Sequence, residues 1–176
     1  MKFRSLIFIL ILFSASFGAG KDCLFTAGPF IHFGGPFNTD GVSLKELNWG
    51  IEFSYWHRLR EKYNYFPAAP FKSIDVGVEF RQDRRIIYSE LQIMPPVGID
   101  FAEIWGWSLG FSVDLSDKGI ENHALQVTTW TPVVFGWSGL YYRLRFILPE
   151  GDRLLRPEWF IGGFAKAYLY TDPAQW

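Results

Sequence analysis

Charged residues that could do chemistry recur on one face of several strand-like segments. In "SIDVGVEFR" (73–81), Asp75, Glu79 and Arg81 alternate with apolar residues, so their side chains share a face. Carboxylates and guanidinium groups brought together in this way can form ion pairs, bind an ionic ligand or line a path for ions. The candidate charge cluster comprises Glu52, Asp75, Glu79, Arg81, Glu90, Asp114, Arg143 and Arg145.

The chemistry of this cluster depends on whether its face is enclosed. Inside a narrow closed sheet the charges must pair, because an isolated buried charge costs several kcal/mol. We therefore expect a salt-bridged plug that fills and staples the interior. The alternatives are an ion or proton path, or a site for an anionic ligand on Arg143 and Arg145, whose planar guanidinium groups bind carboxylate or phosphate bidentately. On a water-exposed face the same residues would be an ordinary polar surface.

Other residue types that support catalysis or metal binding lack the required spacing. The three histidines, His32, His57 and His123, form no His-x-His pattern, and no second group of metal ligands accompanies them. Ser54 lies three residues from His57, which puts the two side chains on opposite faces of an ideal strand. We expect no metal, no cofactor and no catalysis.

After its first residues, the chain has an apolar pattern with a period of two rather than 3.6. Runs of strand-forming residues alternate with turns such as "RQDRR" (81–85) and "SDKG" (116–119). The pattern predicts one antiparallel all-β domain. Its eight expected strands are Leu24–Phe33, Leu47–His57, Ser73–Arg81, Arg85–Ile93, Ile104–Leu115, Ile120–Thr131, Val133–Leu148 and Leu154–Tyr170.

Three features of the sequence indicate that the polar face of the sheet is enclosed and that the apolar face is on the outside. The polar face carries small residues, as at Gly106, Ser108 and Gly110, where a water-exposed strand would carry larger polar residues. The apolar face is too bulky for a small core, and the strands are long enough to cross a bilayer with tilt. The aromatic residues that we expect to face lipid are Trp49, Phe53, Trp105, Trp107 and Phe111.

With this alternation, the segment from Leu24 to the C-terminus resembles the small outer-membrane β-barrels of Gram-negative bacteria, the eight-stranded class that includes the OmpA transmembrane domain and OmpX. Phe160, Phe164 and Tyr168 resemble the alternating aromatic residues of the terminal strand in those barrels. The resemblance implies a single antiparallel up-and-down β-barrel of about eight strands in the bacterial outer membrane. It also implies a structural, adhesive or narrow-channel role, with membrane lipid as the partner.

Two other functions fit the same pattern. In a soluble exported barrel of the lipocalin type the faces would be reversed, and Trp105, Trp107 and Phe111 would line a cup for a hydrophobic ligand. A lipid-modifying outer-membrane enzyme is the second alternative. The serine–histidine pair that such an enzyme would need is missing around His57 and His123.

The N-terminal residues predict export. Lys2 and Arg4 precede the apolar run Leu6–Phe13, which is too short to span a bilayer as a helix, and mostly small residues follow it. We therefore expect a signal peptide at residues 1–20 and the barrel domain at residues 21–176.

The composition narrows the possible partners and covalent links. The 17 basic and 18 acidic residues nearly cancel, which argues against a nucleic-acid partner. Cys23 is the single cysteine, so no intramolecular disulfide can form. Asp22 directly before it is unlike the small residue that precedes a lipid-modified cysteine.

Overall fold

The computed structural model describes residues 23–38, 41–42, 46–58, 71–94, 106–134, 138–149 and 154–170. In this part of the chain no helix is long and apolar enough to cross a membrane. The described strands are β1 (Cys23–Asn38), β2 (Gly41–Val42), β3 (Glu46–Arg58), β4 (Phe71–Phe80), β5 (Arg85–Met94), β6 (Gly106–Ser116), β7 (Gly119–Val134), β8 (Ser138–Ile147), β9 (Arg156–Ala165) and β10 (Ala167–Tyr170).

The strands form a closed antiparallel barrel. Successive long strands pair in the order β1, β3, β4, β5, β6, β7, β8 and β9, and β9 pairs back onto β1. β10 continues β9 along β1 after a break at Lys166. The register places Pro29 beside this break, and proline has no N–H to donate to the ladder. Counted with β10 as part of β9, the barrel has eight strands, which confirms the predicted fold class and the architectural resemblance to small outer-membrane barrels.

Most strand ends differ by a few residues from the expected ones, and the division between two expected strands lies at a different place in the chain. The expected strands Ile120–Thr131 and Val133–Leu148 divide at Pro132, whereas β7 continues through Pro132 to Val134 and β8 begins at Ser138. The pairing of β7 with β8 shifts register between Pro132 and Val134. This bulge accommodates the proline within the strand, so Pro132 does not mark a turn.

Glycines on the inner face make room for the large side chains that fill the barrel. Gly50 pairs with Phe30, Gly77 with Tyr88 and Gly106 with Trp130 across neighbouring strands. In each pair a side chain on the glycine would collide with the aromatic ring of its partner. The buried aromatic cluster in this interior consists of Phe30, Trp56, Tyr88, Trp130 and Tyr141.

Candidate functional site: the charged interior

The structure places all eight residues of the candidate charge cluster in the barrel interior. They come from β3, β4, β5, β6 and β8, with Arg81 just after β4. Seven of the side chains are at most 4% exposed, and the side chain of Glu52 is 14% exposed. Successive side chains of a strand point to opposite faces, so the charged residues point inward and the apolar residues between them point outward.

Three further charged side chains that the sequence analysis did not include also lie inside: Arg84, Glu158 and Lys166. Arg84 is in the turn between β4 and β5, where a period of two gives no direction. Glu158 in β9 and Lys166 directly after β9 are in step with the inward residues Phe160 and Phe164 of that strand. This spacing in the sequence could have predicted that both charged side chains point inward.

One group of interior charges, which we call the turn-end cluster, lies near the turns that follow β4 and β6. It contains Glu79, Arg81, Arg84, Asp114, Arg145 and Glu158.

Each guanidinium group of the turn-end cluster contacts carboxylates. Arg81 Nε lies 2.6 Å from Glu79 Oε1, and Arg84 reaches Asp114 at 3.0 Å and Glu158 at 3.2 Å. Arg145 pairs with Asp114 and, at 2.9 Å, with Glu158. Three cations therefore face three carboxylates in one connected network.

The second group, which we call the cavity cluster, contains Glu52, Asp75, Glu90, Arg143 and Lys166. The Nζ atom of Lys166 lies 2.5 Å from Glu52 Oε1 but 3.8 Å from Asp75 Oδ1. Arg143 Nε lies 3.3 Å from Glu90 Oε1. This cluster therefore has three carboxylates for two cations.

Neutral donors compensate for the missing cation in the cavity cluster. Glu90 accepts hydrogen bonds from Ser108 at 2.6 Å, Gln126 at 2.5 Å and Thr128 at 2.8 Å. Asp75 accepts from the hydroxyl of Ser73. These bonds stabilise buried carboxylates without a second charge.

Between the two clusters lies a layer of rings that we call the aromatic layer, and Arg143 crosses it. The layer consists of Phe30, His32, Tyr88 and Tyr141. Its Cζ lies 4.5 Å from the ring centroid of Tyr88 and 5.3 Å from that of Tyr141. Its Nη1 lies 3.7 Å from Glu79 Oε2 in the turn-end cluster. Within the same layer, Tyr141 Oη lies 2.6 Å from His32 Nδ1. The arrangement joins both clusters into one packed interior.

An interior cavity lies beside the cavity cluster. Its volume is about 30 Å³, enough for a few water molecules, and it opens partly to solvent. Charged and polar groups share its wall with aromatic rings. The aromatic part of the wall consists of Phe30, Trp56, Trp130, Tyr141 and Phe164.

The outer surface of the barrel is apolar. Trp49, Phe53 and Trp107 point outward and are 52%, 56% and 52% exposed. Phe111 also lies on the outer face and stacks with His123. Trp105, for which the same direction was expected, lies outside the described residues. The lipocalin-type interpretation required Trp107 and Phe111 to line the interior, and the charged residues occupy that place instead.

The residues considered for catalysis and metal binding are spread over different parts of the barrel. Ser54 faces inward and accepts a hydrogen bond from Lys166 at 2.7 Å, whereas the neighbouring inward position is Trp56, with His57 on the outer face. His32 is fully buried in the aromatic layer, and His123 is exposed. Among the described residues, no group of histidine, cysteine and carboxylate side chains could hold a metal ion.

Comparison with known proteins adds little to this geometry. No family model matches the chain, and no curated protein matches it. A search of solved structures found similarity to Ail, the attachment invasion locus protein of Yersinia pestis, with 8% sequence identity and a TM-score of 0.25. The match covers 84% of this chain and 99% of the Ail chain. Because identity and TM-score are low, the fold class rests on the strand pairing described above.

Proposed function

We propose that the protein is an outer-membrane β-barrel with a structural or adhesive role. The observation that carries this proposal is the apolar belt that the described residues form around a closed barrel, with a large cluster of charged side chains enclosed behind it. In water such a surface would be costly, because exposed apolar patches of this extent drive association. Against acyl chains it is the favourable arrangement.

The dimensions of the belt support a membrane position. On the outer face, Lys72 near the start of β4 and Arg85 at the start of β5 mark its two margins, and Phe80 pairs with Arg85. Eight residue steps separate Lys72 from Phe80. At about 3.4 Å per step and a strand tilt of about 40°, the belt is roughly 20 Å tall, close to the apolar band of known barrels.

Aromatic residues lie at both margins of the belt. Near Arg85, the rings of Trp49 and Phe80 stack with centroids 4.5 Å apart. At the other margin, Trp107 pairs with Ile93, which in turn pairs with Lys72. Indole rings are favoured at membrane interfaces because they are apolar with one hydrogen-bond donor. The aromatic residues at these two margins support a membrane-spanning orientation of the strands.

The filled interior favours a structural or adhesive role over an open channel. An eight-stranded barrel is only wide enough for its own side chains. Here the turn-end cluster and the aromatic layer occupy that width. Anion binding by Arg143 and Arg145 receives no support, since both guanidinium groups already face carboxylates.

Fractionation tests the proposal. We expect the mature chain to appear in the outer-membrane fraction, to resist extraction by salt and to dissolve in detergent as a β-rich monomer. Mass spectrometry of that product would also test the predicted cleavage of residues 1–20. Recovery of the mature chain as a soluble monomer in plain buffer would refute the membrane position.

A further inference from the structure

We propose that the cavity cluster binds one exchangeable proton, held on the carboxyl group of Asp75, and that this proton makes the stability of the barrel depend on pH. This inference goes beyond the proposed function, which concerns the membrane position of the barrel and assigns no proton to its interior.

The charges of the described interior do not balance. The turn-end cluster has three carboxylates for three cations, whereas the cavity cluster has three carboxylates for Lys166 and Arg143. Arg143 is also shared between the clusters, since its Nη1 lies 3.7 Å from Glu79 Oε2. A carboxylate buried without a cation of its own is costly, and such a group becomes neutral by binding a proton. One proton in the cavity cluster would restore the balance.

Asp75 is the carboxylate of the cavity cluster with the weakest contact to a cation. Glu52 Oε1 lies 2.5 Å from Lys166 Nζ. Glu90 Oε1 lies 3.3 Å from Arg143 Nε. Asp75 Oδ1 must share Lys166 with Glu52 and lies 3.8 Å from its Nζ atom. Because the attraction falls with distance, the missing positive charge is most needed on Asp75.

Two other carboxylates lie beside Asp75 on the neighbouring strands. In the pairing of β4 with β5, Asp75 is directly opposite Glu90, and both side chains are buried in the interior. On the other side, β3 contributes Glu52, whose charge also opposes a negative charge on Asp75. Like charges directly opposite each other on paired strands are destabilising. A proton on Asp75 removes this repulsion from both neighbours.

Neutral groups surround the rest of the Asp75 carboxyl group. The hydroxyl of Ser73 donates to Oδ2 at 3.2 Å. Trp130 donates its indole N–H to the amide oxygen of Gln92, and the amide nitrogen of Gln92 then donates to Asp75 Oδ2 at 3.1 Å. Ser54 is opposite Asp75 in β3 and accepts from Lys166. Both described hydrogen bonds to Oδ2 leave Oδ1, the oxygen nearest Lys166, as the place for the proton.

The cavity gives the proton a route for exchange. Asp75, Glu52 and Glu90 all line it, and it holds a few water molecules and opens partly to solvent. Water in contact with a carboxyl group can deliver a proton to it or accept one from it. The small volume leaves room for a proton or a small cation as the compensating charge, and a larger ligand does not fit.

The proton links the stability of the barrel to pH. In the unfolded chain, the carboxyl group of an aspartate is ionised above about pH 4. The folded barrel that keeps a proton on Asp75 above this pH binds more protons than the unfolded chain. The free energy of unfolding therefore falls as the pH rises, until the folded barrel has also released the proton. For one proton, the unfolding equilibrium constant rises about tenfold per pH unit in this range.

The experiment compares urea unfolding of the wild-type barrel and Asp75→Asn in detergent micelles between about pH 5 and about pH 8. The side chain of asparagine has the shape of the protonated carboxyl group but binds no proton. We expect the ratio of the wild-type unfolding constant to that of Asp75→Asn to rise at least tenfold over this range. Tryptophan fluorescence follows the transition in both barrels.

Asp114→Asn is the matched control, because Asp114 is also a fully buried aspartate but contacts the guanidinium groups of Arg84 and Arg145. Its replacement removes ion pairs at every pH of the experiment. We therefore expect a higher unfolding constant than in the wild type, by a factor that does not change with pH. Infrared spectroscopy of the folded barrel adds a measurement without unfolding. At the acidic end of the range, the wild type should show the C=O stretch of one protonated carboxyl group, and Asp75→Asn should lack it.

Three results would overturn the proposal. One is a ratio of unfolding constants for wild type and Asp75→Asn that stays constant with pH. Another is an infrared band of a protonated carboxyl group that is missing in the wild type or that persists in Asp75→Asn, which would place the proton on another residue. The third is a stability that depends on sodium concentration at constant ionic strength and not on pH, which would make a sodium ion the compensating charge. If Asp75→Asn fails to fold, the pH dependence of the wild-type band decides.

Discussion

The turn-end cluster and the cavity cluster occupy the same barrel but are stabilised differently. In the turn-end cluster three guanidinium groups face three carboxylates in a connected network. In the cavity cluster two cations face three carboxylates, and hydroxyl and amide donors complete the shells of Asp75 and Glu90. In the turn-end cluster, ion pairs between balanced charges thus link several strands of the barrel. The cavity cluster combines an excess of carboxylates with neutral donors beside a small cavity.

The difference follows from which residue types each strand contributes. Arginine, with five donors on a planar group, can bridge two carboxylates at once, and three of the four interior arginines are in the turn-end cluster. Lys166 offers a compact ammonium, which reaches Glu52 closely and Asp75 only at 3.8 Å. The cavity cluster therefore depends more on hydrogen bonds, which are directional and individually weaker.

The largest expected effect is the loss of a bridging arginine from the turn-end cluster. Arg145→Met leaves Asp114 and Glu158 buried with one cation fewer, and breaking a buried ion pair from one side costs about 3–5 kcal/mol. Urea unfolding in detergent micelles, followed by tryptophan fluorescence, measures the loss. Arg156→Met is the matched control, because Arg156 is exposed and donates to Asn122 near the rim, and it should change stability by about 0.5 kcal/mol or less. Equal losses of unfolding free energy in the two variants would contradict the interpretation that the turn-end cluster stabilises the barrel through its ion pairs.

The corresponding change in the cavity cluster should cost less. Lys166→Met removes the ammonium from Glu52 and Ser54, but Tyr88 still donates to Glu52 and the cavity can admit water. We expect a loss of about 2–3 kcal/mol in the same urea experiment. Adding Glu52→Gln to Lys166→Met should recover part of that loss, because it removes the unpaired charge. A loss as large as that of Arg145→Met would show that the clusters do not differ as described.

The aromatic layer between the clusters should be sensitive to a single added methyl group. Gly77→Ala would push a Cβ into the ring of Tyr88, which cannot move freely because its hydroxyl is bonded to Glu52. Overpacking of this kind costs about 2 kcal/mol. Gly163→Ala is the control, since the nearest atoms to its new Cβ lie at 3.4 and 3.9 Å, and we expect unchanged or slightly higher stability. Tolerance of Gly77→Ala in urea unfolding would mean that the layer is loosely packed.

The sequence predicts which residues share a face of a strand, but it does not predict which side chains contact each other inside the barrel. A period of two shows which side chains of β3, β4 and β6 share a face, and the turns between the apolar runs indicate the number of strands. The small residues of the polar face and the bulk of the apolar face then indicate which face is enclosed. The period of two gives no direction for Arg84, which lies in a turn, and it offers no partner for any charge. The pairing of His32 with Tyr141 joins strands that are 109 residues apart in sequence. Such contacts depend on barrel closure and register, which no local pattern contains.

The smallest expected effect comes from a variant that tests whether neutral hydrogen-bond donors stabilise the Glu90 carboxylate in place of a second cation. Thr128 donates to Glu90 at 2.8 Å and accepts from Arg143 Nε at 3.1 Å, so Thr128→Val removes one of three neutral donors while keeping the shape of the side chain. Because Ser108 and Gln126 remain, we expect a loss of about 1 kcal/mol in urea unfolding.

The neighbouring residue provides the comparison for that loss. Thr129 is on the outer face, and its hydroxyl has no hydrogen-bond partner among the described residues, so Thr129→Val should leave stability unchanged or raise it slightly. If the two variants had the same stability, the Thr128 hydroxyl would not contribute to the stability of the buried Glu90 carboxylate. The idea that neutral donors replace a second cation in the cavity cluster would then be contradicted at this residue.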